Sequence, residues 1–406
     1  KYSMENKPSV VMMGLGYIGL PTAALIASRG LKVTGVDIRQ GVVDTINKGQ
    51  IHIVEPDLEG LVHKVVKDKN LCASTKPVSS DVYLVAVPTP FKGDHEPDLS
   101  YIMSATKNII PTLKKGALVI LESTSPVGTT KRMEQFIYKE RPELKGHIFL
   151  AYCPERVLPG NILYELKHND RAIGGVDEIS TIKAINFYKH FVVGTLHPTN
   201  AKTAEMVKLV ENASRDNQIA FANELSIICD KAEINVWDMI ALANKHPRVH
   251  ILNPGTGVGG HCIAVDPWFI VSEFPEESLL IKKSRETNKF KTEWVLEKIK
   301  NKVLTFKVEQ FKDPVIACMG LAFKPDIDDL RESPALYVTE TLEKTDYTIL
   351  AVEPNLTSDP NRVLVETSEA IKQADIIVFL VSHSDFKDLK LDNTKQVLDF
   401  CGVLNS

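Results

Sequence analysis

The sequence predicts an α/β chain of two doubly wound domains joined by a long central helix, and three observations carry that expectation. Over the first two hundred residues short, β-branched apolar runs alternate with amphipathic stretches, the pattern of parallel strands wrapped by helices. From Asn200 to about Asn244 the pattern becomes helical without a break. Beyond about residue 305 a second α/β alternation begins.

In chain order, strands are expected at Val10–Met13, Lys32–Asp37, Asp81–Val87, Ala117–Glu122 and His147–Tyr152, with helices at Ile18–Arg29, Leu99–Lys114 and Gly128–Glu140 between them. The long helix is read from Ala204, Val207, Val210, Ala213 and Ile219, which recur near a period of 3.6 with no Gly or Pro to stop them. A helical block at about Ser278–Lys302 leads to strands Val315–Met319, Thr348–Val352 and Asp375–Val381, separated by helical segments. The expected boundaries are 4–199 for the first domain, 200–304 for a central helical region and 305–406 for the last domain. Lys1-Tyr2-Ser3 ahead of Met4 reads as a remnant of expression cloning and is left out of the fold reasoning.

Composition narrows the class of function. With 48 basic against 52 acidic side chains in 406 residues the net charge is −4, so the chain lacks the positive field that nucleic acid or anionic lipid selects. No run approaches the ~18 unbroken apolar residues of a membrane span. Six cysteines without a CxxC pair, and no basic-then-apolar leader, point to a reducing cytoplasm.

Strand Val10–Met13 runs into Gly14-Leu15-Gly16-Tyr17-Ile18-Gly19 and a helix, and the next strand ends at Asp37. Together these form a Rossmann-type dinucleotide fingerprint: the glycines allow a tight turn and let the loop amides reach a pyrophosphate, and the acid takes the ribose hydroxyls, favouring NAD over NADP. Both α/β domains are therefore expected to be Rossmann-like. Thr89, Thr124 and the pair Glu155-Arg156 each follow a strand end, where ligands of open sheets bind; singly, each Thr also suits a turn. Gly255-Thr256-Gly257-Val258-Gly259-Gly260-His261-Cys262 is uncharged, glycine-rich and ends in a thiol, which suggests a backbone close to a ligand and a presented nucleophile; the alternative is a buried inert thiol. No metal is expected, since His261 and Cys262 are adjacent and lack companions at zinc spacing. Lys208 and Asn212 share a helix face, with Glu205 and Arg215 nearby; this is either a solvated stripe or a set of donors for the oxyanion of a thiol–carbonyl adduct.

These segments, with Glu122–Gly128, Cys153–Arg156, Ala204–Asn212 and Gly320-Leu321-Ala322-Phe323-Lys324, resemble the UDP-glucose/GDP-mannose dehydrogenases over nearly the whole chain. The resemblance implies NAD-dependent, four-electron oxidation of a nucleotide sugar at C6. His52–Asp57, Val87–Asp98 and Asn253–Asp266 are most similar to the branch that takes UDP-N-acetyl-D-mannosamine. It implies Cys262 as nucleophile, Lys208 and Asn212 as oxyanion donors, Asp266 and Glu155 as helpers of thioester hydrolysis, and Thr124 beside the nicotinamide. The cofactor is expected on Gly14, Gly16, Tyr17, Ile18, Gly19, Asp37, Thr89, Thr124 and Arg331. The UDP-sugar is expected on Arg156, Val157, Lys208, Asn212, Arg215, His246, Arg248, Gly259, Phe323 and Lys324, within a homodimer or higher homo-oligomer formed through the central helix, with Arg248 reaching across it.

Three departures from the family pattern stand out. Ile263-Ala264-Val265 lacks the lysine that the glucose enzymes place before the acid, the carboxyl end lacks a basic residue that many members carry, and Pro325-Asp326-Ile327-Asp328-Asp329 is unusually acidic. Three other readings stay open: another UDP-sugar such as UDP-N-acetylglucosamine, a two-electron dehydrogenase with no use for Cys262, and a non-catalytic NAD- or nucleotide-sugar-binding regulator.

Overall fold

The computed structural model describes residues 7–405; Lys1-Tyr2-Ser3, the opening residues 4–6 of the first expected domain and the final residue of the last lie outside the described residues. The chain divides into two compact units, with the division between Val210 and Glu211.

In the first unit the strands are β1 (Val10–Met13), β2 (Val33–Val36), β3 (Leu71–Ser74), β4 (Val82–Val85), a two-residue hairpin pair β5 (Phe91–Lys92) and β6 (Glu96–Pro97), β7 (Leu118–Leu121), β8 (Phe149–Tyr152), β9 (Arg171–Gly175) and β10 (Leu196–Asn200). Eight of them form one sheet in the order β10-β9-β8-β7-β4-β1-β2-β3. Strand order reverses between β1 and β4, where the chain returns from β3 to the other side of β1 and leaves a crevice beyond the carboxyl ends. Alternate residues feed two cores. Val10, Met12, Leu84 and Ile120 pack on one face, and Val11, Met13, Val85 and Leu121 on the other. That double burial explains why these strands read as unbroken apolar runs.

β3, β9 and β10 fall outside the sequence expectation. β3 is only half apolar; β9 carries Arg171 and two glycines and runs antiparallel to β8; β10 is an exposed edge with Pro198. The Leu99–Lys114 helix is shorter than expected, covering Ser100–Ile109 and tightening into a 3-10 turn at Pro111.

A helix of 31 residues, Ala201–Lys231, crosses the division between the units. The expected unbroken run to Asn244 is corrected here. Glu233 takes a left-handed φ of 58°, the Ile234 N–H returns to the Cys229 carbonyl at 2.8 Å, and the Asn235 side chain caps a new helix, Val236–Ala243. A Schellman-type stop without glycine left no Gly or Pro to read.

The second unit holds helices Asp266–Glu273 and Leu279–Gln310 and a parallel sheet of β11 (Val315–Met319), β12 (Thr348–Val352), β13 (Ile376–Phe379) and β14 (Gln396–Asp399), in the order β12-β11-β13-β14. Here too Ile316 and Cys318 pack on one face, and Ala317 and Met319 on the other. No helix among the described residues is long and apolar enough to cross a membrane.

Candidate active site

The dinucleotide loop is shaped by contacts that a side chain would break. Gly14 has φ +98°, and a Cβ there would lie 2.4 Å from the Ala86 carbonyl oxygen; one on Gly19 would lie 1.9 Å from the Gly14 carbonyl oxygen. A Cβ on Gly16 would meet nothing within 4 Å, so that face of the loop is open to a ligand. Asp37, buried at the end of β2, accepts from the Arg39 amide and Nε at 3.0 Å and from its Nη2 at 3.2 Å. Burial raises its carboxyl, but the Arg39 bonds outweigh that and hold it below the ordinary range. Beside this pair the ring nitrogens of His52 are buried without a partner among the described residues, and burial followed by the Arg39 charge holds that imidazole low.

Across the crevice the Ser123 hydroxyl accepts from Val87 N at 2.9 Å and donates to Val87 O at 2.8 Å. It thereby ties the Thr89 segment to the half-buried Thr124. The Thr89 hydroxyl is itself buried with no partner among the described residues. An open glycine, a strand-end acid and an orphaned hydroxyl at the switch point fit a dinucleotide.

Following β8, Glu155 Oε1 lies 4.0 Å from Lys208 Nζ, and Glu155 Oε2 accepts from Val157 N at 3.1 Å. Arg156 donates to the Asp170 carbonyl. Lys208 is buried, which removes the reading of a solvated stripe at that position. Two acids that the sequence reading did not assign hold this corner. Glu55 accepts from Gly160 N and Ile162 N, each at 3.0 Å, pinning the loop that carries Glu155. Glu205 accepts from Gly128 N, Thr130 N and the Thr130 hydroxyl, capping the helix Thr129–Glu140. A third, Glu122, is sealed against Arg171 at 3.4 Å, and burial lifts its carboxyl to about 7 despite that partner. All three lie in segments that the sequence reading singled out, but their roles are not written locally; each is set by the distant amides or cation it meets.

In the second unit Cys262 is exposed, and its carbonyl accepts from Val265 N and Asp266 N where the helix Asp266–Glu273 begins. Asn212 donates to Asp266 Oδ2 at 2.5 Å. Of the other cysteines, Cys153, Cys229 and Cys318 are buried, whereas Cys72 is exposed. The glycine segment differs from expectation. Gly257 packs on Thr292 and Pro334, Gly259 on the Glu332 carbonyl and Gly260 on the Phe323 ring, so these three serve protein packing, while Gly255 stays open.

Gly255 lines a cavity of about 380 Å³ together with Arg215, Thr256, Phe323, Lys324, Val381 and Cys401. Three expected substrate residues, Arg215, Phe323 and Lys324, thus share one cavity, whereas Gly259, His246 and Arg248 are not among its lining and the last two sit in an exposed segment. Two carboxylates of the acidic loop are matched from outside it: Asp326 accepts from Ser384, and Asp329 holds Arg331 at 2.7 Å. At the carboxyl end Asp399 accepts the amides of Cys401, Gly402, Val403 and Leu404, which fixes the turn that brings Cys401 to the cavity.

The second sheet repeats the turn of the first with a different filling. Gly320 has φ +99° and its N–H meets the Val352 carbonyl at 2.8 Å, as Gly14 meets Val36. Glu353 stands where Asp37 stands, yet it accepts from Leu321 N, Ala322 N and Asn355 N and pairs with the buried His383. No group of three or more metal-ligating side chains occurs among the described residues.

Similarity to known proteins runs along most of the chain. Residues 8–192 match the NAD binding domain of the UDP-glucose/GDP-mannose dehydrogenase family, 202–290 its central domain and 317–405 its UDP binding domain. The UDP-N-acetyl-D-mannosamine dehydrogenase of Campylobacter jejuni is 54% identical, over 98% of this chain and all of its own. The NDP-N-acetyl-D-galactosaminuronic acid dehydrogenase of Ralstonia nicotianae is 50% identical, over 97% and 96%. The solved structure of the UDP-N-acetyl-mannosamine dehydrogenase of Staphylococcus aureus is 42% identical with a TM-score of 0.85, covering 98% of this chain and 96% of that one. With the dinucleotide crevice, the exposed thiol and all three family domains in order, the chain belongs to the UDP-glucose/GDP-mannose dehydrogenase family.

Proposed function

We propose that the chain oxidises UDP-N-acetyl-D-mannosamine at C6 by four electrons, giving UDP-N-acetyl-D-mannosaminuronate. The observation that carries the reading is the exposed Cys262 thiol at the end of a glycine segment, in a chain that also holds a dinucleotide crevice and a 380 Å³ cavity lined by Arg215, Phe323 and Lys324. NAD, when bound at Gly14, Gly16, Tyr17, Ile18, Gly19, Asp37, Thr89 and Thr124, supplies the hydride acceptor for each of two oxidations.

The residues of the chain do the rest. After the first oxidation, with the C6 hydroxyl proton taken by a base, the Cys262 thiolate adds to the aldehyde carbon, and Lys208 and Asn212 donate to the alkoxide of the thiohemiacetal. The second oxidation leaves a thioester on Cys262. Glu155 and Asp266 orient and deprotonate the attacking water, the carbon–sulfur bond breaks, and the thiolate is restored as the carboxylate forms. The bond of Asn212 to Asp266 and the approach of Lys208 to Glu155 support these pairings.

The same reading keeps Arg156, Val157, His246, Arg248 and Gly259 as substrate contacts and Arg331 as a cofactor contact. It assigns 4–199 to the cofactor, 200–304 to assembly and catalysis, and 305–406 to UDP. It also takes the enzyme to be a cytoplasmic homodimer or higher homo-oligomer, supported by the exposed Phe221 and Ile228 on the long helix. A limiting-substrate assay over a panel of UDP-2-acetamido sugars and UDP-glucose, read by NADH and by NMR of the product, tests it. Two NADH per UDP-N-acetylmannosamine, a uronate product, loss of both in Cys262→Ser and no turnover of UDP-glucose are expected. One NADH with a stable aldehyde would refute the mechanism, and preference for a 2-acetamido galactose or glucose substrate would refute the choice of sugar.

A further inference from the structure

The loop carrying Phe323 and Lys324 is tied at one point to a buried imidazole that the chemistry above does not use. His383 lies four residues beyond β13, with no exposed surface. Its Nδ1 accepts the Asp326 N–H at 2.9 Å, and Asn355 Nδ2 stands 3.3 Å from the same nitrogen. Its Nε2 is 2.8 Å from Glu353 Oε1. A backbone N–H can only donate, so Nδ1 must be the bare nitrogen and the proton sits on Nε2, directed at the Glu353 carboxylate. Glu353 is in turn fixed by the Leu321 and Ala322 amides.

Asp326 needs such a tie. It is a non-glycine residue at φ +61°, a conformation that L side chains rarely hold without support. Two contacts hold it there, the His383 bond to its N–H and the Ser384 amide and hydroxyl on its carboxylate at 2.8 and 2.7 Å. Phe323, Lys324 and Pro325 on one side of the tie, and Leu380, Val381 and Ser382 on the other, all line the cavity. The tie therefore fixes the spacing between two walls of the same pocket.

We propose that His383, as its neutral Nε2–H form backed by Glu353, is a positioning residue for nucleotide binding: it clamps the Asp326 backbone and so sets the Phe323-Lys324 wall against the Leu380–Ser382 wall. It touches no substrate. The proposal rests on the nucleotide-sugar reading above. Two near-isosteric variants separate the two ring nitrogens. His383→Asn retains an acceptor near the Nδ1 position, while His383→Gln places its polar end near Nε2 and leaves the Asp326 N–H unpaired. Calorimetry with UDP alone, steady-state kinetics with the UDP-sugar, and thermal melts are run on full-length protein.

Unaltered protein and the Asn variant are expected to bind UDP within about threefold of each other. The Gln variant should bind about tenfold more weakly, the scale of one buried donor left unpaired, with KM for the UDP-sugar raised in step and kcat and the KM for NAD unchanged. Should either ring variant fail to fold, Asp326→Ala, which cuts the clamp from its solvent side, is expected to weaken UDP binding severalfold by the same KM-only route. Equal effects of Asn and Gln, a fall in kcat without a rise in KM, or unchanged UDP affinity in the Gln and Asp326 variants would overturn the proposal. Failure of the unaltered protein to bind UDP would overturn the nucleotide-sugar reading instead.

Discussion

Replacing Glu205 with Gln tests how the long helix is seated on the first unit. The carboxylate accepts three bonds, from Gly128 N and Thr130 N at 3.0 Å and from the Thr130 hydroxyl at 3.1 Å, and it has no exposed surface. A Gln amide keeps one acceptor oxygen for Gly128. Its NH2 then faces Thr130; the hydroxyl can turn to accept, but the Thr130 N–H cannot. The loss is one charge-assisted bond, about 1.5–3 kcal/mol, plus one stranded buried amide, about 1–3 kcal/mol. Relief of the buried charge offsets part of this, because burial already pushes the Glu205 carboxyl above its ordinary range. A net cost of about 2–3 kcal/mol follows, a melting shift of roughly 5–10 °C for a unit of this size. Lys208 lies one helical turn beyond Glu205 and 4.0 Å from Glu155, so kcat should fall as well. Calorimetric melts and urea titrations of the variant, with initial rates beside them, give both numbers. A change below about 0.5 kcal/mol with unaltered kcat would show that the cap neither seats the helix nor positions Lys208.

Two further perturbations probe charge. Like charges 4 Å apart at an effective dielectric of 20 repel by ~4 kcal/mol, and Arg39 cancels part of that, so Asp37→Asn should cut the NAD-to-NADP ratio of kcat/KM by about a hundredfold; an unchanged ratio would remove Asp37 from cofactor choice. Burial, against a pull from Asp230, drops the Lys291 ammonium to about 7, where it bonds Ser226. The unfolded chain carries the extra proton between about 7 and 10.5, so stability from urea titrations should rise with pH across that window by at most about 1.4 kcal/mol per unit, and Lys291→Met should flatten the rise; a parallel slope in the variant would refute the assignment.

The parts of the fold legible in the sequence are those whose cause is local. β1, β2, β4, β7 and β8 are buried on both faces and therefore spell themselves as apolar runs, and the glycines at 14 and 19 mark close approaches that any side chain would block. The turn at Glu233 stayed hidden because a left-handed glutamate carries no signature comparable with glycine. Likewise Glu55, Glu205 and Glu353 look like ordinary surface acids until the fold brings amides from 75 to 107 residues away, or 31 to 32 in the case of Glu353, to meet them. Cys262 was legible as an exposed thiol, but the use of its neighbouring glycines was not: what they touch, Thr292, Phe323, Glu332 and Pro334, lies far along the chain.

The filled crevice of the second sheet has a consequence for turnover. There Ala322 stands at the position of Gly16, and Glu353 is saturated by Leu321, Ala322, Asn355 and His383, so the described residues of this crevice offer no second berth for a dinucleotide of the kind that Gly16 and Asp37 provide. On the proposed chemistry two successive oxidations would then share a single berth, vacated and refilled while the half-oxidised sugar waits. An aldehyde waiting without a tether would diffuse away during that exchange. On the proposed chemistry the sulfur of Cys262 is the tether, and the kinetic signature is a cofactor leaving and another arriving between two events on one retained sugar.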